Sequence, residues 1–186
     1  AVVNDPTDRS KQPVNMMSFI SKNNSGLKEM YSLVTKSTSK EHFYYYPRIG
    51  YEHLFDLSDN IIILSGSTPD WGMLPLARKE DLYIEMSPSS NRKALDFCEK
   101  KGFQPIATSD NYYPCVKDKK AYEVLIGRNR TERSSSMHIL NEWEYKEQVP
   151  WAPEEAIQNT YKISEQCEVK LPQAQMISFD SKQTLE

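Results

Sequence analysis

The chain has 186 residues, enough for one domain with a hydrophobic core and too few for two domains of ordinary size. An aromatic content of 11% argues against disorder, and a formal net charge of −3 provides no overall positive field that would attract nucleic acid. The three cysteines, Cys98, Cys115 and Cys167, form no C-x-x-C pair, which argues against a disulfide framework or a zinc knuckle. No apolar run approaches the length of a membrane span, and the first residues lack the pattern of a signal peptide. We therefore expect a globular protein of a reducing compartment, the cytoplasm, with no membrane contact.

The first half of the sequence predicts three strands and a helix. An apolar run at 14–21 predicts a strand, and apolar residues spaced by three and four after the polar residues 23–25 predict a helix that those residues cap. The run at 61–65 is rich in β-branched residues and predicts a buried strand. The alternation of apolar and polar residues at 81–86 predicts the next strand.

A strand–helix–strand unit follows in the middle of the chain. Ser89 or Ser90 is expected to cap a helix that runs through Ala94, Leu95, Phe97 and Cys98 and ends at Gly102. The segment 104–109 then predicts another strand. This order is typical of parallel strands in an α/β fold.

The C-terminal part is predicted to be helical. One helix contains Ala121, Val124 and Leu125, and a second begins at Pro153 with acidic residues in its first turn. The inner face of the second helix is predicted to hold Ala156, Thr160, Ile163 and Cys167, flanked by Ile157 and Tyr161. The polar, basic stretch 127–138 predicts an exposed loop between the helices, and 172–186 is expected to be a connector or tail.

Five phrases of the sequence, in order, resemble the PHP (polymerase and histidinol phosphatase) domain of bacterial and phage C-family replicative polymerases, the DNA polymerase III alpha subunits. They are SKNNSGLKEMYSLV, FYYYPRI, IILSGS, PIATSDNYY and PEEAIQNTYKISEQC. The resemblance implies that residues 1–171 form a PHP-like domain, a partial or distorted β/α barrel with parallel strands. It also implies that the usual N-terminal strands are missing from this sequence.

In that family, clustered His, Asp, Glu and Cys side chains at the strand ends hold up to three metal ions, which can activate water and clamp a phosphate. At the matching positions this chain has Met16 where the family has histidine and Ser67 where it has cysteine. The family's Asp-x-His pair is reduced to Asp110, because Tyr112 stands at the histidine position. A thioether, a serine hydroxyl and a tyrosine of ordinary pKa are poor zinc or manganese ligands. The resemblance therefore implies a degenerate site that needs no cofactor.

The remaining candidate residues have ordinary structural explanations. Asp110 fits a turn-former or cap better than a metal ligand, and none of His42, His53 and His138 has a ligand-like spacing to another His, Asp or Cys. Cys98 and Cys167 are expected in the core, and no base is placed near Cys115 for nucleophilic chemistry.

Two stretches are candidate surfaces for a partner or nucleic acid. One is the basic patch Arg128, Arg130 and Arg133, for which a solvated loop is the simpler explanation. The other is the phrase FYYYPRI at 43–49. Its aromatic residues either pack inward or form, as Tyr44, Tyr45, Tyr46 and Arg48, an exposed surface of the residue types that dominate binding hot spots.

The leading hypothesis is a catalytically degenerate PHP-like domain of a replicative DNA polymerase, which acts as a scaffold and as a docking surface for a proofreading exonuclease. The remainder of the polymerase, and DNA through it, would be further partners. The alternative is a zinc- or manganese-dependent phosphoesterase or 3′–5′ exonuclease of PHP type, completed by residues outside this chain. A third possibility is an interaction module unrelated to polymerases. A barrel without its first strands would also leave an open sheet edge, which would be covered by other residues or by self-association.

Overall fold

A computed structural model describes residues 1–74, 80–127 and 137–171. Within them the chain forms six strands, six α-helices and a short 3-10 helix at Val116–Asp118. The strands are β1 Val2–Val3, β2 Ser18–Ser21, β3 Ile49–Gly50, β4 Ile61–Leu64, β5 Leu82–Met86 and β6 Gln104–Ala107. The helices are α1 Asn24–Ser37, α2 Glu52–Phe55, α3 Lys93–Lys101, α4 Lys119–Ile126, α5 Glu142–Gln148 and α6 Glu154–Gln166.

The main sheet has four strands in the order β2-β4-β5-β6. The pairs β4–β5 and β5–β6 are parallel, which confirms the α/β prediction, whereas β2 runs antiparallel to β4. All four side chains of β4 are buried. Ile61 and Ile63 contribute to a core on one face of the sheet, and Ile62 and Leu64 contribute to a core on the other. The described strands form an open sheet and do not close into a barrel.

The unit β5–α3–β6 forms as predicted, with one correction at the helix start. Gly102 ends α3 in the left-handed conformation, with φ of 70°, and its N–H donates to the Cys98 carbonyl. The prediction that Ser89 or Ser90 caps α3 is wrong, because the hydroxyl of Ser90 accepts a hydrogen bond from its own loop, from the Ser87 N–H. The Asn91 side chain accepts from the Lys93 N–H instead.

The N-terminal segment adds a small sheet that the sequence does not predict. β1 pairs with β3 in parallel, and Val2 also exchanges backbone hydrogen bonds with Asn15. Each of these strands has two residues, too few to produce an alternating pattern. The cap of α1 is as expected, since the Asn23 side chain accepts from two N–H groups of the first turn.

Helix α4 forms as predicted, and the end of the loop that follows it differs from the prediction in its exposure. The apolar residues of α4 are not buried: Val124 is 73% exposed and Leu125 is 84% exposed. Residues 128–136 of the predicted loop lie outside the described residues, but Met137 and His138 at its end are buried. The connector predicted at 172–186 also lies outside the described residues.

Helix α6 packs along β6 and covers the outer edge of the sheet. The Asn159 side chain donates to the Pro105 carbonyl at 2.8 Å, and the Thr160 hydroxyl donates to the Ala107 carbonyl at 2.9 Å. Pro105 and Ala107 are alternate residues of β6, so their carbonyls point away from β5. Two side chains of α6 therefore take the place of a neighbouring strand.

The predicted inner face of α6 is correct in part. The buried residues of the helix are Ala156, Ile157, Asn159 and Ile163. Thr160 and Tyr161 are exposed. The Thr160 hydroxyl bonds to the outer edge of β6, so this side chain does not lie on the face of the sheet. Pro153 occupies the cap position, one residue before the helix starts. Among the described helices, none has the length and apolar composition needed to cross a lipid bilayer.

The edge contact of α6 gives a stability prediction. Replacing Asn159 by Ala removes the donor to a buried backbone carbonyl, so we expect the free energy of unfolding to fall by about 1–3 kcal/mol. Urea denaturation followed by circular dichroism measures the change. The neighbouring residue Gln158 is exposed, and Gln158→Ala serves as the control with little expected effect. Equal losses in the two variants would contradict a specific role of Asn159 at the edge.

Candidate functional site at the carboxyl edge of the sheet

The carboxyl ends of β4, β5 and β6 meet at one edge of the main sheet, because the three strands are parallel neighbours. In open α/β sheets ligands bind beyond this edge. The antiparallel strand β2 begins at the same edge, since Ser18 lies opposite Leu64. Polar residues follow each of the three parallel strands, and this edge is therefore the candidate functional site.

Glu85, on β5, is the carboxylate nearest the sheet interior at this edge. It accepts hydrogen bonds from the Thr108 hydroxyl at 3.3 Å and from the Gly66 N–H, so it links the ends of all three parallel strands. Burial raises the pKa of the Glu85 carboxyl, and the negative charge of Asp110 adds to the rise. Glu85 is not among the candidate residues predicted from the sequence, although a charged residue within an otherwise apolar strand could have indicated this edge.

Asp110 is exposed at the end of β6 and forms a structural link. Its carboxylate accepts a hydrogen bond from the Ser89 hydroxyl at 2.8 Å, which joins the segment after β6 to the loop between β5 and α3. The contact joins two separate loops, so it differs from the local bond to a nearby backbone N–H that a turn-forming aspartate makes. The carboxylate also lies close enough to Glu85 to influence the pKa of that group.

Of the positions that match metal ligands in the PHP resemblance, two lie close together and a third is directed elsewhere. Gly66 has a φ of 79°, and a Cβ added there would collide with the Met16 carbonyl, so the backbone of Met16 touches the residue that precedes Ser67. The Met16 side chain is 70% exposed. The Tyr112 ring packs against Tyr122, with ring centroids 5.4 Å apart, and its N–H donates to the Met137 carbonyl.

Chemically, this edge offers two carboxylates and several hydroxyl groups. Within residues 1–74, 80–127 and 137–171, no three His, Cys, Asp or Glu side chains are grouped so that they could hold a metal ion. Glu85 and Asp110 alone would be a sparse ligand set for the two or three ions that phosphoesterase chemistry uses.

Tyrosines of the segment FYYYPRI form an exposed aromatic surface, to which the arginine of the segment does not contribute. Tyr45 is 82% exposed and has a φ of 61°, and Tyr46 is 40% exposed. Arg48 is only 2% exposed, which corrects its placement on this surface. Its guanidinium donates to the carbonyls of His42 and Asp8 and lies 5.2 Å from the centroid of the Tyr44 ring. Arg48 therefore contacts Tyr44 from the interior of the protein and is not part of the exposed surface.

The second candidate surface is the basic patch. Arg128, Arg130 and Arg133 lie outside the described residues.

Histidines that are separated in sequence come together in the fold. The rings of His42 and His53 meet edge to face with centroids 5.4 Å apart, and both residues are buried. Burial lowers the pKa of His42, and the neighbouring His53 lowers it further. His138 is buried as well and contacts the Glu144 carboxylate at 3.2 Å. Their wide spacing in the sequence gives no signal of these contacts.

The role of Asp110 can be tested by a double-mutant cycle with Ser89. We expect Asp110→Ala to lower the free energy of unfolding by about 0.5–1.5 kcal/mol, the usual net contribution of one hydrogen bond. Ser89→Ala should cost a similar amount, and the double variant should cost little more than either single variant. Thermal and urea denaturation measure the three values. Additive losses would contradict the hydrogen bond as the source of the effect.

Comparison with known proteins identifies a relative of this chain in sequence. No protein-family model matches the chain. The chain is 28% identical over 164 residues to the DNA polymerase III subunit alpha of Aquifex aeolicus (strain VF5). The match covers 74% of this chain and 14% of that protein, so the chain spans about one seventh of the relative's length. The chain is thus similar to one part of a replicative polymerase subunit.

Proposed function

We propose that this chain is a catalytically degenerate PHP-like domain of a replicative DNA polymerase of the polymerase III alpha type, and that it acts in DNA replication as a structural scaffold. The similarity to the Aquifex subunit along most of the chain carries the proposal. Because only 14% of that subunit is matched, nucleotide transfer would belong to other parts of such a polymerase. The proposal includes a cytoplasmic location and a partial barrel completed by residues outside this chain.

The degenerate nature of the site is supported by the chemistry at its edge. Three of the four family positions considered hold Met16, Ser67 and Tyr112, none of which is a good ligand for zinc or manganese at neutral pH. The fourth, Asp110, already bonds to Ser89. A multinuclear metal site would need several further ligands from outside the described residues.

A metal-binding experiment tests this part of the proposal. We expect the purified chain, dialysed against zinc or manganese and then against buffer, to retain less than one ion per chain by elemental analysis. The triple variant Met16→His, Ser67→Cys, Tyr112→His restores the family residues and should retain more metal than the unchanged protein. Two or more ions per unchanged chain would contradict the proposal and favour a metal-dependent phosphoesterase.

The docking role is proposed for the aromatic surface formed by Tyr45 and Tyr46, and its partner is a separate proofreading exonuclease. Exposed tyrosines are residues that dominate binding energy at interfaces. A non-glycine residue with a positive φ, such as Tyr45, is strained by roughly 1–2 kcal/mol. Strained residues of this kind cluster at functional sites. The buried guanidinium of Arg48 contacts the Tyr44 ring and donates to the His42 carbonyl, and these contacts stabilise the turn.

The docking role can be tested with a variant that keeps the backbone conformation. Asn tolerates the left-handed region, so Tyr45→Asn removes the ring without adding strain. We expect the affinity for the exonuclease of the same organism, measured by calorimetry, to fall by roughly tenfold or more, as for an interface hot spot. Tyr31 on α1 is 59% exposed, and Tyr31→Asn is the control. Unchanged affinity in Tyr45→Asn would rule out this surface as the docking site.

A further inference from the structure

Two histidines from separate segments are packed together in the interior of the protein. His42 precedes the tyrosines of the segment FYYYPRI, His53 lies on α2, and the two residues are only 7% and 9% exposed. Their rings meet edge to face with centroids 5.4 Å apart. The Nδ1 atom of His42 is buried and has no hydrogen-bond partner among the described residues. A positive charge on the His42 ring would therefore lie in a buried place, with no hydrogen bond at this nitrogen to stabilise it.

Positive groups from three parts of the chain act on or contact His42. The His53 ring lies against it, and the ammonium of Lys36 on α1 also disfavours a charge on its ring. The third group is the guanidinium of Arg48, a residue that is 2% exposed and whose Nε donates to the His42 carbonyl. Protonation of His42 would thus add a positive charge to a region that already holds a buried one.

The carboxylates around this region compensate such a charge only weakly. Glu41 and Glu52 favour the charged form of His42, but both are exposed, and Glu52 contacts the Nδ1 atom of His53 at 3.1 Å. Asp5 and Asp8 interact electrostatically with the nearby guanidinium and are exposed as well. Water screens exposed charges, so these four residues offset little of the cost of a charge on the buried ring.

His42 also closes the turn that carries the exposed tyrosines. Its carbonyl accepts a hydrogen bond from the Nε of Arg48 at 3.2 Å, and this bond joins the two ends of the segment. Between the two ends, the Tyr44 N–H donates to the Tyr46 carbonyl at 3.3 Å. We call the residues Tyr44, Tyr45 and Tyr46 the tyrosine turn. A displacement of His42 removes the hydrogen bond at the base of this turn.

We propose that His42 is an acid-sensitive switch for the tyrosine turn, which is closed while the ring is neutral and opens when the ring is protonated. A protonated ring moves toward water, because its buried position offers it the positive group of Arg48 and no buried carboxylate. The exposed tyrosines then lose their fixed arrangement, and binding to them weakens in acid. This functional consequence rests on the docking role proposed above, whereas the opening of the turn does not.

The direction of the pH dependence follows from the pKa of His42. Burial lowers this pKa, and the neighbouring His53 and Lys36 lower it further. A basic group whose pKa is lower in the folded chain than in the unfolded chain contributes its full stability above the ordinary pKa, which is about 6.5 for histidine. That stability is lost as the pH falls through this value toward the lowered pKa. We therefore expect a closed turn at neutral pH and an open turn in more acidic solution.

Hydrogen exchange on the full chain tests the switch without a partner protein, so its outcome is separate from the docking test with Tyr45→Asn. After correction for the intrinsic rate at each pH, the protection of the Tyr44 and Arg48 amides should fall by about tenfold or more between about pH 7.5 and about pH 5. The Ile63 N–H, which donates to the Asp81 carbonyl in the main sheet, should keep its protection. Constant protection of Tyr44 and Arg48 would overturn the proposal. An equal loss at Ile63 would also overturn it, because the whole fold would then open.

Two variants test whether His42 is the group that senses acid. His42→Phe keeps an aromatic ring against His53 but cannot be protonated, so the protection of the Tyr44 amide should no longer depend on pH. His138 is buried elsewhere, and His138→Gln is the matched control that should keep the pH dependence. A pH dependence that persists in His42→Phe would overturn the proposal. If His42→Phe does not fold, NMR titration of the His42 ring in the unchanged chain decides, since a midpoint that differs from that of the opening would overturn it.

Discussion

The fold depends on β4, whose side chains are buried on both faces of the sheet and whose backbone bonds to a neighbouring strand on each side. Four consecutive apolar side chains cannot be covered by one layer, because successive residues of a strand point to opposite faces of a sheet. The structure therefore contains two cores, one on each face of the sheet. One lies on the side of Ile61 and Ile63, and the other, on the side of Ile62 and Leu64, is covered by Ile163 of α6. The backbone of β4 is satisfied by β2 on one side and by β5 on the other.

The position of the candidate site follows from that arrangement. Once β4, β5 and β6 are parallel, their carboxyl ends share one edge, and the polar residues that end each strand must meet there. This geometry disfavours the charged form of Glu85, because burial at the edge raises the pKa of its carboxyl group. Hydrogen bonds from Thr108 and Gly66 offset part of that cost by favouring the charged form.

Much of this architecture could be predicted from the sequence, because its main elements have strong periodic signals. The run 61–65, the alternation at 81–86 and the glycine after α3 each have one physical interpretation. The rest depends on contacts between distant residues. An arginine in a polar, tyrosine-rich stretch is normally exposed, yet Arg48 is buried because carbonyls from two other segments accept from it. The contact of His42 with His53 has no local signature either.

The proposed loss of metal ligands is compatible with an intact fold. Met16 precedes β2, Ser67 follows β4 and Tyr112 follows β6, so all three positions lie beyond the ends of the strands. Side chains at such positions contribute little to the two cores, and exchanging them alters the chemistry of the edge more than the stability of the sheet. The constraint at this edge lies in the backbone instead. Gly66 must adopt a positive φ and leave room for the Met16 carbonyl, and no side chain can meet both conditions.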